Sequence, residues 1–359
     1  MTTKIIFFMT GVTGYIGGTV LEQFLSHPNT SSFHITALVR SSEKAEKLKK
    51  FGVEPILGSL SNLQLLEDSA ANADVVLAMA DCDDLRGAEA TLRGIKRRFE
   101  QTGKAPIFIN TSGTGVLSDN SGGLKPTETI YDDLNPDQIE TLPITQMHRP
   151  VDLAIVNADK EGYAKTYIIL PSTVYGLSSG RLADAGLHNR QSIRIPCLIS
   201  AFLDRGRAGM VGEGKNLWPN VEIHEQADLY IKLYDAIVDG KNPALGHGRE
   251  GFYFGASGEH LLYDLSLHLG AVLVELGKAT EKEPTSFKKE EMAKYFGSLD
   301  FLGSNSRCVA NRSKAIGWAP KKTAKDLFAS LKPEVEMILK TGHSSSFLDE
   351  SFLREDLST

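Results

Sequence analysis

The stretch that decides the fold is Thr10-Gly11-Val12-Thr13-Gly14-Tyr15-Ile16-Gly17-Gly18. It follows the apolar run 5–9 and opens a segment whose apolar residues recur at helical spacing. A strand, a glycine turn and a helix form the context that a dinucleotide-binding fingerprint requires. Gly11 permits the tight turn, Gly14 lets the backbone approach a pyrophosphate, and Gly17 lets the helix pack closely on the strand. The spacing is GxxGxxG, and the N–H groups at the helix start are predicted to hold the phosphates.

The next predicted strand, 34–40, indicates which dinucleotide binds. Its end lies where a site for NAD usually has an acidic residue for the ribose 2′-hydroxyl, whereas an arginine suits a 2′-phosphate. Arg40 occupies that place, Ser41 follows, and Lys44 begins a basic helix. The alternative is an ordinary solvated helix with a charged start. We favour NADP(H) over NAD.

Length and composition indicate a globular protein that acts on a small molecule. The chain has 359 residues, 41% of them hydrophobic, and a formal net charge of −6, which predicts no nucleic-acid partner. The three cysteines are far apart and have no metal-ligand spacing, which predicts no metal site. The first strand starts too early for a signal peptide, and no apolar run could span a bilayer. We therefore expect a cytoplasmic protein without a membrane partner, either a monomer or a homodimer.

Apolar strands alternate with amphipathic segments through the first half of the chain. Strands are predicted at 53–57, 74–80, 106–110, 166–170 and 251–254, and helices at 63–72 and 86–101. This alternation predicts βαβ units and a parallel sheet, with ligands at the carboxyl ends of the strands. The predicted fold is α/β, a Rossmann-type doubly wound parallel sheet with a smaller C-terminal substrate-binding domain. The nucleotide-binding domain would span 1–180 with 221–255, the substrate-binding domain 181–220 with 256–340, and a tail 341–359.

The chain resembles the extended and atypical short-chain dehydrogenase/reductase superfamily, which includes NAD-dependent epimerases and dehydratases. The resemblance rests on 10–17, 74–80, Thr111-Ser112-Gly113 and 171–176, with weaker support from 221–230. It implies that the strand ends line the cofactor. Ser59 stands where the family usually has an aspartate beside the adenine. The predicted cofactor-binding residues are Gly11, Thr13, Gly14, Tyr15, Ile16, Gly17, Arg40, Ser41, Lys44, Ser59, Leu60, Ala78, Met79, Ala80, Thr111, Leu170, Pro171, Ser172 and Val174.

The catalytic pattern of that family is broken in this chain. The family uses a tyrosine as general acid with a lysine four residues later, and no such pair occurs between 130 and 170. His148 stands at the tyrosine position and Asp152 at the lysine position. One interpretation makes His148 the proton donor, oriented and raised in pKa by Asp152, with Ser112 or Thr114 binding a substrate oxygen. The other makes Asp152 a helix-terminus residue and His148 part of a loop.

Three functions are compatible with these features. The leading hypothesis is an NADP(H)-dependent oxidoreductase acting on a carbonyl or alcohol of a small organic molecule. The second is a non-redox epimerase or dehydratase, and the third is a catalytically inactive regulator that senses NADP. Guanidinium groups in the presumed substrate loop, 181–210, could bind a carboxylate or phosphate of the substrate, although solvation is the simpler role for each. The loop carries Arg181, Arg190, Arg194, Arg205 and Arg207.

Overall fold

The computed structural model describes residues 4–297 and 300–342. Its strands are β1 (Ile5–Thr10), β2 (Phe33–Val39), β3 (Glu54–Leu57), β4 (Val75–Ala78), β5 (Ile107–Thr111), β6 (Tyr131–Asp132), β7 (Lys165–Pro171), β8 (Thr173–Tyr175), β9 (Gly209–Met210), β10 (Leu217–Glu222), β11 (Phe252–Gly255), β12 (Gly258–Leu261), β13 (Thr285–Ser286) and β14 (Cys308–Val309). The predicted tail lies outside the described residues from 343 onward.

The helices fill the intervals between these strands. They are α1 (Tyr15–Leu25), α2 (Ser42–Lys49), α3 (Leu63–Ala70), α4 (Leu85–Thr102), α5 (Pro136–Glu140), α6 (Arg149–Lys160), α7 (Arg181–Asp184), α8 (Arg194–Arg205), α9 (Ile223–Asp239), α10 (Leu262–Glu275), α11 (Lys289–Phe296), α12 (Asn311–Ala315) and α13 (Ala324–Thr341).

The main sheet has seven strands in the order β11-β7-β5-β4-β1-β2-β3, and every pair in it is parallel. The order runs in opposite directions on the two sides of the β1–β4 pair. In an open parallel sheet, a ligand binds at such a switch point, beyond the carboxyl ends of the strands. The predicted α/β fold with a Rossmann-type sheet is therefore confirmed.

The first hydrophobic core joins the sheet to the helices on its two faces. Phe7 of β1 lies 5.4 Å from Phe24 of α1 and 5.3 Å from Tyr234 of α9, between ring centroids. Aromatic pairs at this separation contribute stability beyond their buried area. This cluster attaches α9 to the sheet alongside α1, so the chain returns to the main sheet after 221.

A second core holds the smaller C-terminal unit together. Its buried side chains include Phe202 of α8, Leu269 of α10 and Leu331 of α13. A three-stranded sheet, β12-β10-β8, lies between this unit and the main sheet, because β8 follows β7 after a single residue. Two regions that the sequence assigned to the substrate-binding domain pack on the first core instead: Leu182 and Leu187, and the segment 308–318.

The glycine turn after β1 leaves no room for a side chain at Gly11 or Gly17. Gly11 has φ of +76°, and a Cβ added there would lie 2.3 Å from the carbonyl oxygen of Met79. Its own carbonyl oxygen would lie 2.3 Å from a Cβ on Gly17. The turn thus touches the β4 loop on one side and the start of α1 on the other. This agrees with the tight turn predicted for Gly11 and with the close packing predicted for Gly17.

We expect Gly11→Ala to destabilise the protein more than Gly52→Ala. Gly52 has nearly the same φ, +79°, but no atom lies within 4 Å of the added Cβ. The Gly52 variant should lose about 1–2 kcal/mol, the backbone cost alone, whereas Gly11→Ala adds a clash with fixed backbone. Urea denaturation of both variants measures the difference. Equal losses would show that the contact with Met79 imposes no constraint.

Candidate active site

The start of α1 fits a phosphate group. Its N-cap is Gly14, no side chain accepts a hydrogen bond from the N–H groups of its first turn, and that turn contains no acidic residue. By contrast, Ser41 caps α2 and Asp84 caps α4 with their own side chains. Exposed N–H groups at the positive end of a helix dipole bind anions. Thr13 and Ile16 are partly exposed beside this turn.

The side chain of Tyr15, a predicted cofactor-binding residue, has a partner within the protein. Its hydroxyl donates a 2.6 Å hydrogen bond to the carbonyl oxygen of Gly176 and is buried, and burial raises its pKa well above the ordinary value. The side chain therefore attaches α1 to the segment after β8. Only the backbone of Tyr15 remains to contact a phosphate.

A positive pair lies at the end of β2. Arg40 is exposed and has no carboxylate partner within the described residues. Burial lowers the pKa of Lys44, and the charges of Lys47 and Arg40 act in the same direction. The hydroxyl of Ser41 accepts a 3.3 Å hydrogen bond from the backbone N–H of Lys44 and so caps α2. The Ser41 side chain is therefore already partly engaged. Arg40 and Lys44 have no ion pair within the described residues, although Glu43 adjoins Lys44, and two such cations suit a 2′-phosphate.

The predicted adenine side of the site forms one surface. Leu60, Ala78 and Ala80 line the same cavity as Thr10 and Asn110, at the carboxyl edge of the sheet. Met79 is buried and presents its carbonyl oxygen to Gly11. Ser59 bonds Asn62 through its N–H, at 2.9 Å, so it shapes the loop after β3.

The end of β5 carries several buried polar atoms without hydrogen-bond partners. Among the described residues these include the amide nitrogen of Asn110 and the hydroxyls of Ser112 and Thr114. Buried polar groups in native proteins are nearly always bonded, and a cluster of unbonded ones indicates a place for a ligand. Thr111 is different because its hydroxyl bonds that of Tyr230 at 2.7 Å. Its hydroxyl is therefore already engaged, and its predicted contact with the nicotinamide ribose stays a prediction.

The end of β7 and the start of β8 lie beside this turn, because β7 pairs with β5. Leu170, Pro171 and Val174 are buried, while the hydroxyl of Ser172 donates to the carbonyl oxygen of Gly255 at 2.7 Å. The first three residues supply an apolar surface at the strand end. Ser172 instead joins β7 to β11, so its side chain has a structural bond.

His148 lies directly against the turn after β5. A Cβ built on Gly113 or Gly115 would lie 3.1 Å from its Nε2 atom. Its φ of +67° is the one positive value among the described residues other than glycine. Its backbone N–H and its Nδ1 bond the same Asp83 oxygen, at 2.8 and 2.9 Å. Asp83 thus fixes the ring and leaves Nε2 facing the two glycines.

Asp83 also keeps His148 charged. Burial alone would lower the pKa of His148, but the hydrogen bond and negative charge of Asp83, with a contribution from Cys82, raise it well above the ordinary value. The side chain of His148 is only 12% exposed. An imidazolium with Nδ1 held by a carboxylate and Nε2 facing a cleft has the arrangement of a general acid.

The prediction that Asp152 orients His148 is wrong, since Asp83 does so. Asp152 is fully buried, and neither of its oxygens has a hydrogen-bond partner in the described part of the chain. It makes no cap hydrogen bond, but it lies in the first turn of α6 with Pro150 at the helix start, as the structural alternative predicts. Burial raises its pKa to about 7, while the charge of His148 and the facing hydroxyl of Ser112 lower it. Asp152 thus lies close to Ser112, and both side chains are buried without a hydrogen-bond partner in the described residues.

Cys82 and Asp83 are site residues that the sequence reasoning missed. They lie in the loop after β4, at the same sheet edge as Ser112, and this position was the signal that could have identified them. The Cys82 sulfur lies 3.3 Å from Nδ1 of His148. Possible ligand atoms of Cys82, Asp83 and His148 all lie within 4.8 Å of one another, a spacing that three ligands of one metal ion could have. The sequence predicted no such cluster.

Comparison with known sequences supports the nucleotide-binding assignment. Residues 1–94 match the NmrA-like family. Oxidase ucsJ of Acremonium sp is 28% identical over 94% of this chain and 99% of its own length. The 4-hydroxy-2-methyl-3-oxo-4-farnesyl-3,4-dihydroquinoline-1-oxide ketoreductase of Stigmatella aurantiaca is 34% identical over 23% of this chain and 24% of its own. Residues 1–94 are therefore similar to the NmrA-like family, and the relatives named share part or most of the chain's length.

Solved structures share the fold over nearly the whole chain. The UDP-glucose 4-epimerase of Thermotoga maritima has a TM-score of 0.62 at 16% identity, covering 94% of this chain and 100% of that one. The dTDP-glucose 4,6-dehydratase of Bacillus anthracis, in complex with NAD, has a TM-score of 0.59 at 14% identity, covering 94% and 97%. At these identities the similarity establishes the fold alone.

The NmrA-like region and the uncapped glycine loop together imply a nicotinamide dinucleotide as the cofactor class. The choice between NADP and NAD is considered below. In the part of the chain that the structure covers, no helix is both long and apolar enough to cross a membrane.

We expect Asp83→Asn to lower the pKa of His148. Asparagine removes the negative charge that favours the imidazolium. As pH rises, the His148 ring of the variant should therefore lose its proton at a lower pH than that of the wild-type protein. NMR titration of the His148 ring measures this directly. Asp235→Asn is the matched control, because Asp235 bonds the remote His27 at 2.9 Å and should leave His148 unchanged. An unaltered His148 titration in Asp83→Asn would contradict the assigned pairing.

Proposed function

We propose that the protein is an NADP(H)-dependent oxidoreductase that interconverts a carbonyl and an alcohol in a small organic molecule. The observation that carries this proposal is His148, held by Asp83 with Nε2 against the turn that bears Ser112. A proton donor thus lies at the strand end where a short-chain dehydrogenase places its reacting groups. In this proposal His148 takes the role of the absent tyrosine, and Asp83 takes the role of the lysine that supports it.

The nucleotide would be held by the start of α1, by Arg40 and Lys44, and by the apolar wall after β7. A bound reduced nicotinamide supplies hydride to a carbonyl carbon. His148 supplies the proton to the carbonyl oxygen from Nε2, and the neutral imidazole then regains a proton from solvent. Asp83 stabilises the charged ring before transfer and keeps it oriented afterwards.

Ser112 and Asp152 support the same step. The Ser112 hydroxyl has no partner in the described structure, so it is available to donate a hydrogen bond to the substrate oxygen. Asp152, with a pKa of about 7, can take or return a proton behind it. The relatives named an oxidase and a ketoreductase also favour redox chemistry over epimerisation.

His148→Asn is the direct test of the proton donor. Asparagine adopts positive φ more readily than most residues, so this variant removes the imidazole with little backbone cost. We expect turnover to fall by about 10²–10⁴-fold, the usual contribution of a general acid, with unchanged affinity for NADPH. His247→Asn is the control, because His247 bonds Asp159 at 2.9 Å outside this site. Full turnover in His148→Asn would remove His148 from the mechanism.

The assay for these variants is NADPH consumption by the wild-type protein against aldehydes, ketones and imines, after NADPH and NADH binding has been measured by fluorescence. Consumption with one class establishes a reductase and its substrate class. Tight NADPH binding without consumption of any carbonyl would contradict the oxidoreductase and favour an epimerase or an NADP sensor.

Arg40→Gln tests the choice of cofactor. We expect it to weaken NADPH binding by about 1.5–3 kcal/mol, the value of a hydrogen bond to a charged group, and to leave NADH affinity nearly unchanged. Lys49→Gln removes the same charge from the adjoining α2, where Lys49 pairs with Glu46 at 2.6 Å, and should affect neither cofactor. Equal weakening of NADPH and NADH by Arg40→Gln would contradict a 2′-phosphate contact.

A further inference from the structure

The structure separates the arginines of the presumed substrate loop into two kinds. All but one have a carboxylate partner: Arg181 with Glu22 at 2.9 Å, Arg190 with Asp184 at 3.7 Å, Arg205 with Glu291 at 2.8 Å and Arg207 with Glu281 at 2.8 Å. Arg194 is the exception. It has neither an ion pair nor a hydrogen bond within residues 4–297 and 300–342.

Arg194 is instead stacked on an aromatic ring. Its guanidinium carbon lies 3.8 Å from the ring centroid of Trp218 and 5.8 Å from that of Phe301. The Nε atom is buried and has no acceptor, and burial lowers the pKa of the group to about 9, while the residue as a whole remains partly exposed. Stacking uses the face of a guanidinium and leaves its in-plane N–H groups for a second ligand.

Arg194 has no carboxylate partner among the described residues, and several buried polar groups near it lack a hydrogen bond. His260 lies opposite Trp218 in the β10–β12 pair and bonds Asn220 at 3.2 Å. Burial, and secondarily the charge of Arg194, lowers the pKa of His260 to about 3, so that ring is neutral. The hydroxyl of Ser192 and the side-chain oxygen of Asn220 are buried and unpartnered. A buried cation without a counter-ion is costly unless a ligand supplies the anion.

Hydrogen bonds connect Trp218, on which Arg194 is stacked, to the turn that carries Ser112. The Trp218 Nε1–H donates to the carbonyl oxygen of Ser304 at 2.6 Å, and the Ser306 hydroxyl donates to that of Thr114 at 2.6 Å. Asn220 is also the register partner of Thr173 on β8, whose buried hydroxyl lacks a partner. The segment 304–306 therefore fixes Trp218, and Arg194 with it, relative to the Ser112 turn.

We propose that Arg194, held flat on Trp218, binds the carboxylate of the substrate. The substrate is then a carboxylic acid whose apolar part contacts Trp218 and Phe301, while its carbonyl or alcohol reaches His148. One uncompensated guanidinium matches one negative charge in a bidentate pair, whereas a phosphate dianion would require a second free cation, and the other loop arginines are paired. This assignment of substrate class rests on the proposed oxidoreductase function.

The test measures binding without turnover, so that it is independent of the redox reaction. Phenylacetate and hexanoate, and their neutral amides phenylacetamide and hexanamide, are titrated by calorimetry into the full-length protein saturated with NADP⁺. We expect at least one acid to bind tenfold or more tightly than its amide, and Arg194→Met to abolish that preference. Arg194→Gln is the second variant in case methionine disturbs folding, and unchanged NADP⁺ affinity shows that either variant is folded.

Arg190→Met is the matched control, because Arg190 belongs to the same loop but pairs with Asp184, and it should retain the preference. The proposal is overturned if acids and amides bind alike, if neither binds, if Arg194→Met keeps the preference, or if phenyl phosphate binds more tightly than phenylacetate. Turnover of neutral ketones with a KM unaffected by Arg194→Met would also overturn it while leaving the oxidoreductase intact. Selective binding of the acid without NADPH consumption by any carbonyl acid would contradict the oxidoreductase instead.

Discussion

The contact between Gly11 and the carbonyl oxygen of Met79 is the constraint on which the site depends. It brings the loops after β1 and β4 together at the switch point of the sheet, with no room for a side chain. The same turn directs the uncapped start of α1 toward that edge, and the β4 loop goes on to Asp83. The two ends of the proposed site, one for the phosphates and one for the proton donor, therefore diverge from a single backbone contact.

The chemistry at the other end depends on a residue in a conformation that residues other than glycine seldom adopt. The positive φ of His148 places its backbone N–H and its ring nitrogen on one carboxylate oxygen of Asp83. Such local strain persists only where the surrounding structure fixes it, and it occurs most often at functional sites. Here it turns Nε2 toward the glycines after β5. In place of the tyrosine and lysine of one helix, the chain uses a histidine at a helix start and an aspartate from the β4 loop.

Unsatisfied buried groups connect the two halves of the molecule. Asp152 and Ser112 are such groups at the turn after β5. Thr173 and Asn220 are such groups on β8 and β10, nearer to Arg194. An unsatisfied buried polar group is costly, and these groups lie at both ends of the proposed substrate site. The ordered segment 304–306 keeps the two ends at a fixed separation, which is what discrimination between substrates of different length requires.

The sequence by itself determined the sheet and the nucleotide loop, because strand periodicity and the glycine spacing are local properties. The predicted strands of the main sheet agree with the structure to within two residues at each end, the largest difference being that the strand predicted at 74–80 ends at Ala78, and the fold class is confirmed. Position along the chain also indicated His148 and Ser112. Only the tertiary structure decided their partners: Asp83 lies far from His148 in sequence, Thr111 is bonded to Tyr230, and Tyr15 to Gly176. It likewise distinguished Arg194 from four neighbouring arginines, since ion pairing depends on carboxylates contributed by distant segments, which no local pattern encodes.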